Sequence, residues 1–290
     1  LKAAIISGIL VGLAVCTRPI AQFLVPVLAI ALAGISHFHG VSKRRVALLV
    51  FVFFLPTVLT LLPVYTHNLL KFGSLSLSAQ TGTHLAYWVL PPVKKFETGV
   101  SFEETKAKIR ESYKAELKRR GGDESNPFDV NNILTGVALS ELRKSSAVAI
   151  ATAWLKGMVL NIATPAVLID TRVRSFSDQS FYELEAPNFV RKVLQYLEKS
   201  SPLYLFFFFV GAFGSFLSLI FSIYGLFILH SLRPWAAIFA TLAVFYFLLI
   251  NGPVASPKYR LPIEPVIIIC ASLGLVQTWK KMLLRKNKHE

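Results

Sequence analysis

The sequence predicts an all-α, polytopic membrane protein with about six transmembrane helices and one large, mostly helical extracytoplasmic loop. Composition is the first reason. Of the 290 residues 54% are hydrophobic and 23 are Phe, and the mean hydropathy is +0.56, which is too apolar for an ordinary soluble domain. The second reason is a set of long apolar runs that approach the roughly 20 residues needed to span a bilayer.

Six apolar runs are the candidate spans, and all connections between them are short except one. The runs are Ala3 to Val15, Ile20 to Ile35, Val46 to Tyr65, Leu203 to Leu232, Trp235 to Ile250 and Ile263 to Trp279. They divide the chain into spans one to three (1–65), a polar connecting loop (66–202), spans four to six (203–279) and a basic tail (280–290).

The basic residues of the short loops predict the orientation, because Lys and Arg are retained on the cytoplasmic side. With six spans, most of them fall on one side: Lys2, Lys43, Arg44, Arg45, Arg233, Lys280, Lys281, Arg285, Lys286 and Lys288. The large loop is then extracytoplasmic, in a multi-pass protein of the plasma (cytoplasmic) membrane.

Three short-loop cations, Arg18, Lys258 and Arg260, lie on the other side. A cation placed against the topological preference at the end of a membrane helix suggests a specific anionic partner, such as a lipid phosphate. The alternative is snorkelling to headgroups, or pairing of Arg260 with Glu264 one turn away. Tyr259, between two of the cations, is placed to lie at the membrane interface.

The large loop contains one more apolar segment, Ala147 to Ile169. If it crossed the bilayer, the basic tail would lie outside, so we expect a helix that lies in the interface or packs on the spans. A capping box at Ser101 to Glu104 predicts an amphipathic helix that ends at Gly121. Further helices are predicted after Pro127 and after Pro187.

Motifs of soluble enzymes are absent, and neither a metal, a cofactor nor a nucleic-acid partner is expected. His37 and His39 form an HxH pair that lacks a third ligand. Cys16 and Cys270 lie inside apolar runs, where a thiol behaves as a small hydrophobe. Because the chain opens on Leu1 without a signal-peptide pattern, the true N-terminus is expected to lie upstream.

Four short segments give the chain a family resemblance. They are Gly12 to Pro19 (GLAVCTRP), His67-Asn68 with the following Phe72-Gly73, Ser78 to Gly82 (SAQTG), and Lys258 to Pro262 (KYRLP). With the pattern of spans, the chain resembles the C-terminal half of polyprenyl-phosphate-sugar-dependent glycosyltransferases of the GT-C class, of the protein O-mannosyltransferase and aminoarabinose-transferase type. It has His67 where such proteins often have Arg, and no loop that matches the one bearing their catalytic Asp.

The resemblance implies a membrane glycosyltransferase that uses a sugar linked to polyprenyl phosphate, with a glycan, lipid or protein as acceptor. Cations would stabilise charge on the lipid-phosphate leaving group, and the expected donor-phosphate residues are Arg18, Lys258 and Arg260, with Tyr259 and His67 in support. The general base should be a carboxylate, expected upstream of Leu1, so that this chain alone would be inactive; Asp170 and Asp178 are the candidates within it.

Other functional classes remain open. A transporter or flippase for a lipid-linked or anionic solute could use the same cations to bind a phosphate in transit. A polymerase or ligase of lipid-linked glycans differs only in its acceptor. A purely structural membrane subunit would not explain the placement of the three cations.

Overall fold

The structure is a computed structural model that describes residues 1–176, 184, 186 and 189–286. Within these ranges the secondary structure is helical and contains no strand, as the predicted all-α class requires. The chain divides into two compact units, Leu1–Ala149 and Ile150–Glu290. The boundary falls inside the segment that the sequence assigns to the large loop.

The first unit begins with three apolar helices, α1 (Lys2–Thr17), α2 (Leu24–Phe38, preceded by a 3-10 turn at Pro19–Phe23) and α3 (Lys43–Phe72). Gly8 and Gly12 of α1 face the backbone and the threonines of α3 so closely that an added Cβ would clash. Thr57 of α3 donates a 3.0 Å hydrogen bond to the carbonyl of Gly8. Small residues let membrane helices approach in this way, and the hydrogen bond then links them.

The rest of the first unit is a second group of helices. They are α4 (Thr81–His84), a π-helical turn (Leu85–Val89), α5 (Leu90–Thr98), α6 (Phe102–Arg120) and α7 (Pro127–Lys144). The capping box is confirmed, since Ser101 Oγ accepts from the Glu104 amide at 3.2 Å. Gly121 ends α6 with a φ of 61°, a conformation that glycine adopts without steric cost.

A small apolar core holds these helices together. Its fully buried members come from the π-helical turn and from α5, α6 and α7: Ala86, Leu90, Ile109, Leu134 and Ala138. The charged face of α6 is covered by ion pairs within the helix, such as Glu116 with Arg119 and Arg120. This is the solvated face that its mixed charges predict.

The second unit contains α8 (Ala147–Ala163, which starts at the unit boundary), a 3-10 turn (Ala166–Ile169), α9 (Thr171–Arg174), α10 (Phe189–Lys199), α11 (Pro202–Leu232), α12 (Pro234–Asn251), a 3-10 turn (Pro257–Arg260) and α13 (Glu264–Lys286). The helices predicted after Pro127 and after Pro187 are α7 and α10. Tyr196 of α10 and Tyr204 of α11 join their hydroxyls at 2.5 Å, which ties α10 to the start of a long apolar helix.

Five helices of the described chain are long and apolar enough to cross a membrane, which makes this a multi-pass membrane protein. They comprise Pro19–Phe38, Lys43–Phe72, Pro202–Leu232, Pro234–Asn251 and Glu264–Leu284. The sequence-based count of about six included α1, which is apolar but has only 16 residues. A sixth span by length would need α7 and α8 to count as one bent pair.

Candidate functional site

The connection between α12 and α13, which carries Lys258 to Arg260, is anchored by α8. Trp154 donates from Nε1 to the carbonyl of Leu249 at 3.0 Å. Asn161, which is fully buried, donates to the carbonyl of Val254 at 2.9 Å and accepts from the amide of Ser256 at 2.8 Å. A buried amide side chain that satisfies two backbone groups fixes that backbone.

Two glycines make this anchoring possible. A Cβ on Gly157 would lie 2.6 Å from Pro253 Cα, so α8 and the connection touch backbone to backbone. Gly252 has a φ of 58°, and a Cβ there would lie 2.9 Å from the ring of Trp154. Gly157 and Asn161, which look out of place in a bilayer span, are therefore the residues that dock α8. The structure thus shows α8 packed on the end of α12 and on the connection that follows it.

Arg260 is buried, with 8% of its surface exposed, and its guanidinium is held by three oxygens. Nε donates to Glu264 Oε1 at 2.5 Å, and Nη1 donates to the carbonyls of Ile162 and Thr164 at 2.5 and 3.4 Å. Those carbonyls belong to the end of α8, where a helix leaves its last C=O groups without internal partners. A cation at this end is also favoured by the helix dipole.

These contacts make the pairing alternative for Arg260 an observed feature. Removing one partner of such a buried pair leaves an uncompensated charge and costs about 3–5 kcal/mol. Glu264 is therefore the counter-ion that allows Arg260 to stay buried. Nη2 of Arg260 donates no hydrogen bond within the described part of the chain.

Lys258 is the cation of this turn that faces outwards. Its side chain is exposed, and its ammonium lies 5.1 Å from the centre of the Tyr259 ring, a cation–π contact. No carboxylate lies within 4.0 Å of it among the described residues. The turn therefore presents one exposed positive charge beside an aromatic ring and keeps its other cation inside.

A cavity of about 160 Å³, called the polar cavity below, lies beside Arg260. Its polar lining consists of Ser215 and Ser218 of α11, Arg260, and Glu264 of α13. Ile162, Leu219 and Ile267 form its apolar wall. A water takes up about 30 Å³ in the liquid, so the cavity has room for a few waters or for one small polar group.

Beyond the polar cavity, α11 and α13 are in tight contact. A Cβ on Gly225 would meet the backbone of Cys270, and one on Gly274 would meet that of Phe221. Ser222 donates to the carbonyl of Ile267 at 2.9 Å. At Gly214, by contrast, nothing lies within 4 Å of the Cβ position. The helices touch at one level and leave space at another.

Arg18 and His67 lie in the first unit, and Lys258, Tyr259 and Arg260 lie in the second. Arg18 is half-buried and lies just beyond the end of α1; its guanidinium has no partner among the described residues. His67 is exposed, and its ring packs edge-on against Phe72 at 6.3 Å. Convergence of these cations on one phosphate stays a prediction.

Asp170 is committed to a local ion pair. Its carboxylate accepts from Arg172 Nε and Nη2 at 3.0 and 2.8 Å and from the Arg172 amide at 2.9 Å. The side-chain hydrogen bonds from Arg172 lower the pKa of Asp170 to about 2, which makes it a weak base at neutral pH. Asp170 is therefore held in an ordinary ion pair within its loop, while Asp178 lies outside the described residues.

Sequence reasoning named Arg260 and Glu264 but missed Ser215 and Ser218. The sequence signal that could have identified them is the spacing of two hydroxyls three residues apart in a mostly apolar helix, which places both on one face. Among the described residues no group of three His, Cys, Asp or Glu could hold a metal ion. The chemistry that this site offers is hydrogen bonding and charge.

Comparison with known proteins adds no identification: no family model matches the chain, and no curated protein and no solved structure matches it either.

Proposed function

We propose that the protein is a membrane glycosyltransferase that moves a sugar from a polyprenyl-phosphate-linked donor to a glycan, lipid or protein acceptor on the extracytoplasmic face. The observation that carries the proposal is the anchored turn at the start of α13. It presents the exposed ammonium of Lys258 beside Tyr259 at the end of a membrane helix. A fixed cation at this depth is suited to a lipid phosphate.

The proposed topology has six spans, with α1 as the short one. Sixteen residues of helix reach about 24 Å, and a span shorter than the bilayer core is accommodated by local thinning and snorkelling. The basic residues of the short loops favour the large loop on the extracytoplasmic side of the plasma membrane. Lys258 then meets the donor at the outer surface, with membrane lipids around it.

The proposed chemistry breaks the bond between the sugar's anomeric carbon and the phosphate oxygen. The acceptor hydroxyl attacks this carbon while a carboxylate base takes its proton, and the polyprenyl phosphate leaves with the bonding electrons. Fixed cations stabilise the charge that develops on the phosphate. In this scheme Lys258 contacts the phosphate, Tyr259 lies beside it, and Arg260 fixes the turn.

The test is sugar transfer by the full-length protein, reconstituted in vesicles with a labelled polyprenyl-phosphate sugar. Lys258→Ala should raise the KM for the donor about tenfold or more, the loss of one charge-assisted hydrogen bond. Arg260→Ala should abolish transfer while membrane insertion persists. The matched control is Lys199→Ala, an exposed lysine at the end of α10, which should leave transfer unchanged. Full activity of both Lys258→Ala and Arg260→Ala would overturn the proposal.

A transporter or flippase of a lipid-linked or anionic solute is the second candidate, favoured by the polar cavity between two membrane helices. The same vesicles distinguish the two functions. A flippase moves the labelled lipid between leaflets without changing it chemically, whereas a transferase consumes it only when an acceptor is present.

A further inference from the structure

The polar cavity collects hydrogen-bonding groups that the described part of the chain does not use. Ser215 and Ser218 donate no hydrogen bond there, although a helical serine usually bonds to a carbonyl of the preceding turn. Ser222, one turn farther along α11, does donate a hydrogen bond, to the carbonyl of Ile267 on α13. Neither Ser215 nor Ser218 has another interaction with a described residue. Two open hydroxyls on one helix face thus line the same space.

Arg260 and Glu264 each add one open position of opposite charge. The pair uses Nε and Oε1 for its mutual hydrogen bond, which leaves Nη2 as a donor and Oε2 as an acceptor. Glu264 keeps 25% of its side chain exposed, against 10% for Arg260. The cavity is therefore neutral overall but offers a positive and a negative group side by side.

In the proposed topology, on which this step rests, the polar cavity lies at the depth of lipid headgroups. Glu264 begins α13, and Lys280 near its other end starts the basic tail. The helix between them is about 24 Å long, close to the ~30 Å of the hydrocarbon core. Glu264 and the polar cavity thus lie at the membrane boundary opposite Lys280. The ligands that are abundant at that level are phospholipid headgroups.

From these groups we infer that the polar cavity binds the headgroup of an ethanolamine phospholipid. Its ammonium donates to Glu264 Oε2 and to the hydroxyls of Ser215 and Ser218. Its phosphate accepts from Arg260 Nη2. A zwitterion matches a neutral pair of opposite charges, whereas a purely anionic headgroup would bring a negative charge to Glu264 without a compensating ammonium.

The lining also distinguishes ethanolamine from choline. A quaternary ammonium cannot donate a hydrogen bond and is recognised by aromatic rings. No aromatic residue lines the polar cavity among the described residues, while three oxygens face the three N–H groups of a primary ammonium. The phosphate of a donor with a neutral sugar could use the same Nη2, but it brings no ammonium for Glu264.

The experiment is a lipid titration of the delipidated full-length protein, read by native mass spectrometry. Phosphatidylethanolamine, phosphatidylcholine and phosphatidylglycerol with identical acyl chains are compared. We expect phosphatidylethanolamine to bind about tenfold more tightly than the other two, since one charge-assisted hydrogen bond is worth about that much. Equal binding of the three lipids, or tighter binding of phosphatidylglycerol, overturns the inference.

Variants separate the cavity from the rest of the surface. Glu264→Gln should remove the preference for phosphatidylethanolamine. Since that variant also disturbs the buried pair, Gly214→Leu provides a second route, because it fills the cavity from a position with open space around its Cβ. Ser272→Ala, on the exposed side of α13, is the control that should retain the preference. A preference that survives Gly214→Leu with unchanged helicity overturns the assignment.

The lipid measurement is independent of sugar transfer, so the two proposals fail separately. If the protein prefers phosphatidylethanolamine but transfers no sugar, the lipid site is supported and the proposed function is wrong. If the protein transfers sugar but shows no lipid preference, the proposed function is supported and the inferred lipid site is wrong.

Discussion

Replacing Gly225 by alanine should break the contact between α11 and α13. A Cβ at this position would run into the carbonyl group of Cys270 and would lie 2.9 Å from the amide nitrogen of Gly274. Both obstacles are backbone, so no side-chain rotation can relieve the clash. The two helices must move apart, which would also strain the hydrogen bond between Ser222 and Ile267.

The expected cost is about 1–3 kcal/mol, as for other overpacked interiors. Alanine favours helix over glycine by up to ~1 kcal/mol, but this gain largely cancels where the helices persist in the membrane-unfolded state. Gly214→Ala on the same helix is the matched control. Its Cβ position is open, so we expect a change within ~0.5 kcal/mol.

The assay is reversible unfolding in mixed micelles as the fraction of denaturing detergent is raised, followed by circular dichroism and Trp fluorescence. Gly225→Ala should unfold at a lower fraction than the wild type, and Gly214→Ala should match the wild type. If Gly225→Ala is as stable as Gly214→Ala, the close approach of α11 and α13 is refuted.

Three further predictions concern single contacts. Ser101→Ala removes the cap of α6 and should cost about 0.5–2 kcal/mol, seen as faster amide exchange in its first turn; unchanged exchange would contradict the cap. Asn161→Ala leaves two backbone groups without partners, which should lower the folding stability by about 1–3 kcal/mol for each group and speed proteolysis between α12 and α13. Unchanged proteolysis would show that α8 does not anchor that connection. The hydrogen bonds from Arg172 stabilise the ionised form of Asp170 in the folded protein. Their contribution to folding stability is complete above the unfolded pKa of about 3.9 and is lost as the pH falls towards the folded pKa of about 2. Asp170→Asn should thus leave the pH profile of transfer unchanged above pH 4; a shifted acidic limb would show that Asp170 is the base after all.

The helices could be predicted from the sequence because their signals are local. The cap at Ser101 and the stop at Gly121 bound α6 as expected. Apolar runs mark α2, α3, α11, α12 and α13, since a helix that faces lipid must be apolar along its whole length. The span count was less secure, because α1 is as apolar as the others but shorter, and length alone separates it from them.

The site depends on contacts that are remote in sequence. Arg260 was expected to face a ligand, but its Nη1 reaches the carbonyl of Ile162, which lies 98 residues earlier. Nothing in the sequence around Lys258 shows that this lysine points outwards while the arginine two residues later turns inwards. The role of Asn161 was equally hidden, since an amide in an apolar helix reveals a need for partners but not their identity.

The sequence by itself determined that this is a multi-pass, all-α membrane protein and where its long apolar helices lie, because hydrophobicity, helix caps and charge act over a few neighbouring residues. Only the tertiary structure decided which cation is buried, which is exposed, and that a polar cavity opens beside Glu264. Arg260 is buried where it reaches the carbonyls of Ile162 and Thr164, and the cavity lies beside helices that meet at Gly225 and Gly274 and leave space at Gly214. The spacing between two packed helices is set by both surfaces together, so neither segment encodes it alone.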